Sequence, residues 1–150
     1  MDDLDQKRLA WFGGDCDALN MYKMFIDLSH TWDDLVDKDE EVSEDAINNA
    51  FLICLVYLPS NSFYQRIQRE IMPMWIAVVS AFQTANQFER NKDEHGLEIS
   101  HNLRYAAGHI LAYAVCVCVG QDKAKEILPD LWKDIVFERY DEYRKEHLDV

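Results

Sequence analysis

The sequence predicts an all-α protein, a single-domain helical bundle of about five to seven helices. Three features point to it. Apolar residues recur at the three- and four-residue spacing of helices, and no run alternates apolar and polar residues as a half-buried strand does. Only three Pro and five Gly occur in 150 residues, which leaves room for long unbroken helices. Apolar residues make up 49% of the chain, enough to fill one core at this length. No internal repeat or low-complexity stretch divides residues 1–150, so one domain is expected.

The elements follow in order. Residues 1–13 read as an N-terminal arm, broken at Gly13-Gly14. Asp15 or Asp17 can cap a first long helix that runs to about Lys38. Ser43, followed by Glu44 and Asp45, starts a second helix that is expected to end before Pro59. Ser60-Asn61-Ser62 forms a turn and a new cap. A helical pattern then runs to about Asn91, with Pro73 either kinking it or starting a new helix. Glu94 to Val119 reads as another long helix, closed by Gly120. Asp122–Leu128 reads as a short helix. Pro129 suits the first turn of a last helix reaching His147, with Trp132, Ile135, Val136, Tyr140 and Tyr143 packing and Asp134, Glu138, Asp141 and Glu142 in water.

The formal net charge is −13. Such a chain repels nucleic acid and anionic membrane surfaces, because phosphate contacts need Lys and Arg. The longest apolar run, Ala106–Val119, is shorter than the roughly 20 residues that span a bilayer, so no transmembrane segment is expected. The N-terminus lacks the basic and apolar parts of a signal peptide. Cys54, Cys116 and Cys118 sit in apolar runs and read as buried reduced thiols. A cytoplasmic location follows as an expectation. The oligomeric state is open, with room for a homodimer.

Three polar stripes carry the candidate chemistry. On the first long helix, Asp27, His30, Asp33, Asp34 and Asp37 fall within an arc of about 120° at helical spacing. Met21, Met24, Phe25, Leu28, Trp32 and Leu35 lie opposite. These acids crowd the end of the helix, where the macrodipole is already negative. A divalent cation would relieve them, since two carboxylates four residues apart can grip one hard ion. On the helix from Glu94, a stripe of Glu98, His101, Asn102, Tyr105 and His109 interrupts an apolar surface. It reads either as satisfied core residues or as the wall of a polar cavity. On the helix after Pro73, Gln83, Asn86, Gln87, Arg90, Asp93 and Glu94 form the third stripe.

Two of these stretches carry a resemblance. Trp32-Asp33-Asp34-Leu35-Val36-Asp37 resembles the first aspartate-rich motif of class I isoprenoid synthases. Ala81-Phe82-Gln83-Thr84-Ala85-Asn86 resembles the Ala-Phe-Gln-x-x-Asn segment of the squalene and phytoene synthase branch. The resemblance implies an all-α fold around a cavity, here reduced in length, that binds or turns over a prenyl diphosphate-type ligand through Mg²⁺. It implies Asp33, Asp34 and Asp37 as catalytic metal ligands, joined by His30 and by Glu94 at the second motif. Arg90 stands where the family has the first aspartate of that motif. Asn86, Arg90 and His101 would bind the ligand, and Tyr105 would take a catalytic role in the cavity. A strongly acidic site meets a diphosphate only through a bridging cation.

Three other readings compete. Asp27-x-x-His30 and Glu98-x-x-His101 have the spacing of ferritin-like dinuclear sites, with Glu70 or Glu89 and Glu44 or Asp45 as further carboxylates. Glu41-x-x-Glu44 and Glu138-x-x-Asp141 resemble the paired acidic motifs of all-α nucleotide pyrophosphohydrolases. The chain can also be a non-enzymatic helical protein that binds a partner through the Trp11-Phe12 arm or its acidic surface.

Overall fold

The computed structural model describes residues 1–38 and 40–148. They are almost entirely helical, and no strand occurs among the described residues. The chain packs as two compact units, Met1–Arg69 and Glu70–Val150.

The first unit starts with α1, Asp3–Trp11, capped by Asp2, whose carboxylate accepts from the Asp5 N–H at 2.7 Å. Gly13 and Gly14 take φ of 61° and 85°, a turn that residues with a Cβ rarely make. α2, Cys16–Asp37, is capped by Asp15, which accepts from the Ala18 N–H at 3.0 Å. Asp15 rather than Asp17 is therefore the cap. Trp11 and Phe12 do not form an exposed arm. They are 5% and 1% exposed and pack on Tyr22, with ring centroids 6.3 and 5.9 Å apart. Burying two aromatic rings outweighs leaving them in water by several kcal/mol, roughly 1.5–3 for each. Lys23 ties α2 back to Asp5 on α1 at 2.7 Å.

α3, Glu44–Leu52, is capped by Ser43 as expected. α3 itself ends at Leu52, but the helical run does not stop before Pro59. A π-helical turn, Ile53–Tyr57, leads into the short α4, Leu58–Ser60. The Leu58 N–H reaches back five residues to the Ile53 carbonyl. That wider turn accommodates Pro59, which has no N–H and whose ring crowds the preceding turn of a regular helix. Asn61 then closes the junction. Its Oδ1 accepts from the Tyr64 N–H at 2.8 Å, and its Nδ2 donates to the Asp17 carbonyl at 2.9 Å. It is buried and fully used, so it caps α5, Ser62–Asn91.

The second unit takes α5 from Glu70 onward. Pro73 neither ends this helix nor starts a new one; it is exposed, so the carbonyl it leaves unpaired can meet water. Asp93 caps α6, Glu94–Leu103, through the Gly96 N–H at 2.9 Å. The expected single helix to Val119 is broken at residues 104–107. There the backbone pairs three residues back, Tyr105 N–H to Asn102 and Gly108 N–H to Tyr105, in tighter 3₁₀ fashion. α7, Gly108–Val119, follows, and Gly120 at φ 84° ends it. α8, Gln121–Ile135, runs straight through exposed Pro129, so the expected break there falls instead at residues 136–139. α9, Tyr140–Leu148, closes the described chain. α7 packs on α8 and α6 on α9. The core of this unit includes Ile71, Leu97, Ile110, Leu111, Val115, Leu131 and Tyr143.

The cysteines also depart from expectation. No disulfide forms among the described residues; Cys54 is exposed, and Cys116 and Cys118 are half-buried. The apolar run around Cys54 turns only Ile53 and Leu58 inward. One helical stretch among the described residues, Glu94–Val119, is long and apolar enough to cross a membrane by length and composition alone. It contains the 3₁₀ interruption and, within that, the ion-paired Arg104, whose side chain is 11% exposed.

Candidate functional site

The second unit is built around a buried polar network. Glu89 on α5 and Arg104 in the 3₁₀ turn form an ion pair, Nη1 to Oε1 at 2.5 Å, with side chains only 8% and 11% exposed. Tyr143 on α9 donates its hydroxyl to the same Glu89 oxygen at 2.6 Å. Ser100 on α6 lies 2.6 Å from the Tyr143 oxygen. A phenol has one proton, and Tyr143 gives it to Glu89, so the Tyr143 oxygen accepts from Ser100, whose single proton is shared with the Leu97 carbonyl at 3.1 Å. Asn86 Oδ1 lies 3.5 Å from Arg104 Nη1, and His147 Nε2 lies 3.9 Å from Glu89. The Arg104 guanidinium also sits 5.5 Å from the Phe82 ring centroid.

Three residues singled out from the sequence meet here. Asn86 touches Arg104. His101 is 8% exposed, with Nε2 at 2.8 Å from the Glu138 carbonyl oxygen. A carbonyl only accepts, so Nε2 carries the proton and cannot ligate a metal. The imidazole is ringed by Tyr105, Tyr140 and Tyr143, with centroids 6.0, 5.6 and 5.2 Å away. It is a satisfied core histidine. Tyr105 is half-buried, and burial, reinforced by Glu138, pushes its hydroxyl up to about 12. Burial first, then donation to Glu89, raises Tyr143 further. Neither phenol becomes a base near neutral pH.

The other stripe residues go elsewhere. Glu98 and Asn102 are exposed, and His109 is exposed with its ring 5.0 Å from Trp132. The 3₁₀ turn shifts the helical phase, so Glu98, His101, Asn102, Tyr105 and His109 share no single face. Arg90 is exposed. Glu94 is exposed and paired with Arg144. The residues missed from the sequence are Ser100 and Arg104; Glu89 was expected only as a ferritin-like carboxylate and Tyr143 only as a packing residue. A signal existed: Ser100 and Arg104 sit four apart on a largely apolar stretch.

Glu138 is not in bulk water. It is half-buried, and burial and then the neighbouring Glu146 raise its carboxyl above the usual range. A group whose folded value is raised gives stability that is full below its unfolded value and is lost as pH rises through the folded one. Glu138→Gln, which removes the charge and keeps a donor for Glu146, is therefore expected to raise the melting temperature at pH 7–8. The gain should shrink toward zero as pH falls to about 4, as thermal unfolding across that range will report.

In the first unit, Asp33, Asp34 and Asp37 are half-buried at the end of α2, and Oδ1 of Asp33 is shielded from solvent. No basic residue lies in the last turn of α2. Lys38 follows as its left-handed C-cap at φ 58°. Asp27 and His30 are exposed. Among the described residues no group of three or more His, Cys, Asp and Glu side chains is placed to share a metal ion. The expected metal set of His30, Asp33, Asp34, Asp37 and Glu94 therefore forms no ready-made cage, and neither do the ferritin-like pairs.

The most exposed apolar surface of the first unit lies on α3 and the π turn. Phe51 is 62% and Leu55 71% exposed, flanked by exposed Leu52, Val56 and Tyr57. In the second unit Met72, Ile76 and Val79 form an exposed stripe on α5. Single exposed apolar residues are ordinary on a surface, but grouped ones mark interaction sites. No protein-family model, curated protein or solved structure matches this chain.

Proposed function

We propose that the chain is a helical partner-binding protein. The observation that carries this reading is the uncovered run Phe51, Leu52, Leu55, Val56 and Tyr57 on α3 and the π turn. Each such side chain, if covered by a partner, contributes on the order of 1–3 kcal/mol before the costs of association. The π turn supports the reading, since four successive residues within it, 54–57, are exposed and only Ile53 turns inward. The buried polar network fits a scaffold role. Its donors and acceptors are engaged with one another, and its hydroxyls stay protonated at neutral pH.

Leu55→Asp tests the reading. An exposed site tolerates this change with a stability cost within roughly 1 kcal/mol. Retention of the native partner by the tagged chain should fall at least about tenfold while the helical circular dichroism stays unchanged. Equal retention by Leu55→Asp and the unaltered chain would refute it.

A second reading keeps a specific observation. Half-buried Asp33, Asp34 and Asp37 crowd the negative end of a helix whose last turn has no basic residue. Oxygen donors of this kind suit Mg²⁺, which keeps several waters and takes only one or two carboxylates with phosphate oxygens. Such an ion would hold a diphosphate, as the isoprenoid synthase resemblance implies. Mg²⁺ with pyrophosphate should then stabilise the chain by about 2.7 kcal/mol at a hundredfold excess over Kd. The shift should vanish in Asp33→Asn and Asp37→Asn. No shift in the unaltered chain removes this reading.

A further inference from the structure

We infer that the occupant of the α3 face is a basic amphipathic helix, an inference that rests on the partner-binding reading above. The charge pattern selects it. Residues 46–65 carry no charged side chain, in a chain of net charge −13. Just ahead of them stand Glu40, Glu41, Glu44 and Asp45, all exposed. None of the four is ion-paired among the described residues.

At helical spacing Glu44, Asn48, Phe51 and Leu55 line one side of the element, with Asp45, Leu52 and Val56 beside them. The surface is therefore acidic at one end and apolar at the other, over about 18 Å from Glu44 to Val56. That is the length of about three helical turns. A partner helix of this size would lay apolar side chains on Phe51, Leu52, Leu55 and Val56. Lys or Arg on the same helix would meet Glu40, Glu41, Glu44 and Asp45.

The alternatives fit less well. A second copy offers no Lys or Arg from its own residues 46–65 to meet the four acids and adds its own charge of −13 to the repulsion. An anionic membrane surface is repelled for the same reason. A basic helix is drawn in by the whole field of the chain and then held by apolar contact.

The test is a titration of the full chain with a synthetic Leu/Lys amphipathic peptide of about 18 residues, with a scrambled peptide of equal composition as control. The amphipathic peptide should bind at least about tenfold more tightly than the scrambled one. Leu55→Glu should weaken binding about tenfold or more even though it adds a negative charge, and Phe51→Ala should weaken it in the same direction. Glu44→Lys with Asp45→Lys should weaken binding about tenfold and flatten its salt dependence.

Equal binding of the scrambled peptide, or unchanged or tighter binding by Leu55→Glu, would overturn the inference, because the attraction would then be charge alone. Light scattering and binding to zwitterionic vesicles separate the other occupants. Absent peptide binding together with a Leu55→Glu defect in self-association or vesicle binding overturns the basic helix and leaves the partner-binding reading standing. A Leu55→Glu chain that matches the original in all three assays overturns both.

Discussion

Glu89→Ala is expected to destabilise the Glu70–Val150 unit by about 3–5 kcal/mol, the usual cost of removing one partner from a buried ion pair. The reason lies in what stays behind. Arg104 keeps its charge with only 11% of its side chain exposed, and burial already draws its guanidinium below the ordinary value. Tyr143 loses the carboxylate that accepts its proton and is left with only the Ser100 oxygen, which can accept because Ser100 can turn its own proton to the Leu97 carbonyl. Thermal unfolding should show a drop in melting temperature on the order of 10 °C. Arg104→Met should cost a similar amount, because it strands the carboxylate instead. The double variant Glu89→Leu with Arg104→Met should recover part of the loss, since two apolar groups need no partner while Tyr143 still lacks the carboxylate. Additive single costs would show that the pair is not coupled and that the network is not what holds α5, the 3₁₀ turn and α9 together.

The second large effect is expected at Gly108, where α7 meets α8. A Cβ there would lie 2.5 Å from Cζ3 and 2.7 Å from Cη2 of Trp132, with Cδ1 of Ile135 at 3.3 Å. Gly108 is buried, so the added carbon has no solvent to move into. Either the indole moves, giving up its contact with His109, or the two helices separate. Gly108→Val is expected to cost about 1–3 kcal/mol or more through overpacking. Gly108→Ala should cost less. Trp132→Leu in the Gly108→Val background should return part of the stability, measured as a shift in denaturant midpoint without a change in slope. If Gly108→Val were as stable as the original, the close approach of α7 to α8 would be wrong.

The fold class and most helix starts were legible in the sequence. Asp15, Ser43 and Asn61 announce helix starts through chemistry local to a few residues, an oxygen that accepts an orphan N–H. Helix interruptions were less legible. Pro59, Pro73 and Pro129 suggested boundaries, yet helical turns continue through all three, because exposed carbonyls can take water and a π turn can widen. The actual breaks at residues 104–107 and 136–139 carry no Pro or Gly until Gly108, so tertiary packing sets them. Burial was misjudged where composition stood in for topology. Trp11 and Phe12 read as an exposed arm and are core, whereas Cys54 reads as a buried thiol in its apolar run and is exposed.

The polar centre was half legible. Asn86, His101 and Tyr105 were picked out because polar residues interrupt apolar helices. Arg104 was not, and the pairing of Glu89 with Arg104 and Tyr143 was not, because pairing across helices leaves no short-range signature. Asp33, Asp34 and Asp37 were the strongest motif in the sequence. They do remain half-buried, but a motif match names residue types and not whether their oxygens converge.

The central claim is that the face around Phe51 and Leu55 is the working surface. Site-specific photo-cross-linking tests it most directly, with benzoylphenylalanine placed at position 51 and, as control, at exposed position Gln121. A discrete adduct is expected from position 51, none from position 121, and the adduct should be lost when Leu55→Asp is added. Adducts that form equally from both positions, or that survive Leu55→Asp, would contradict it.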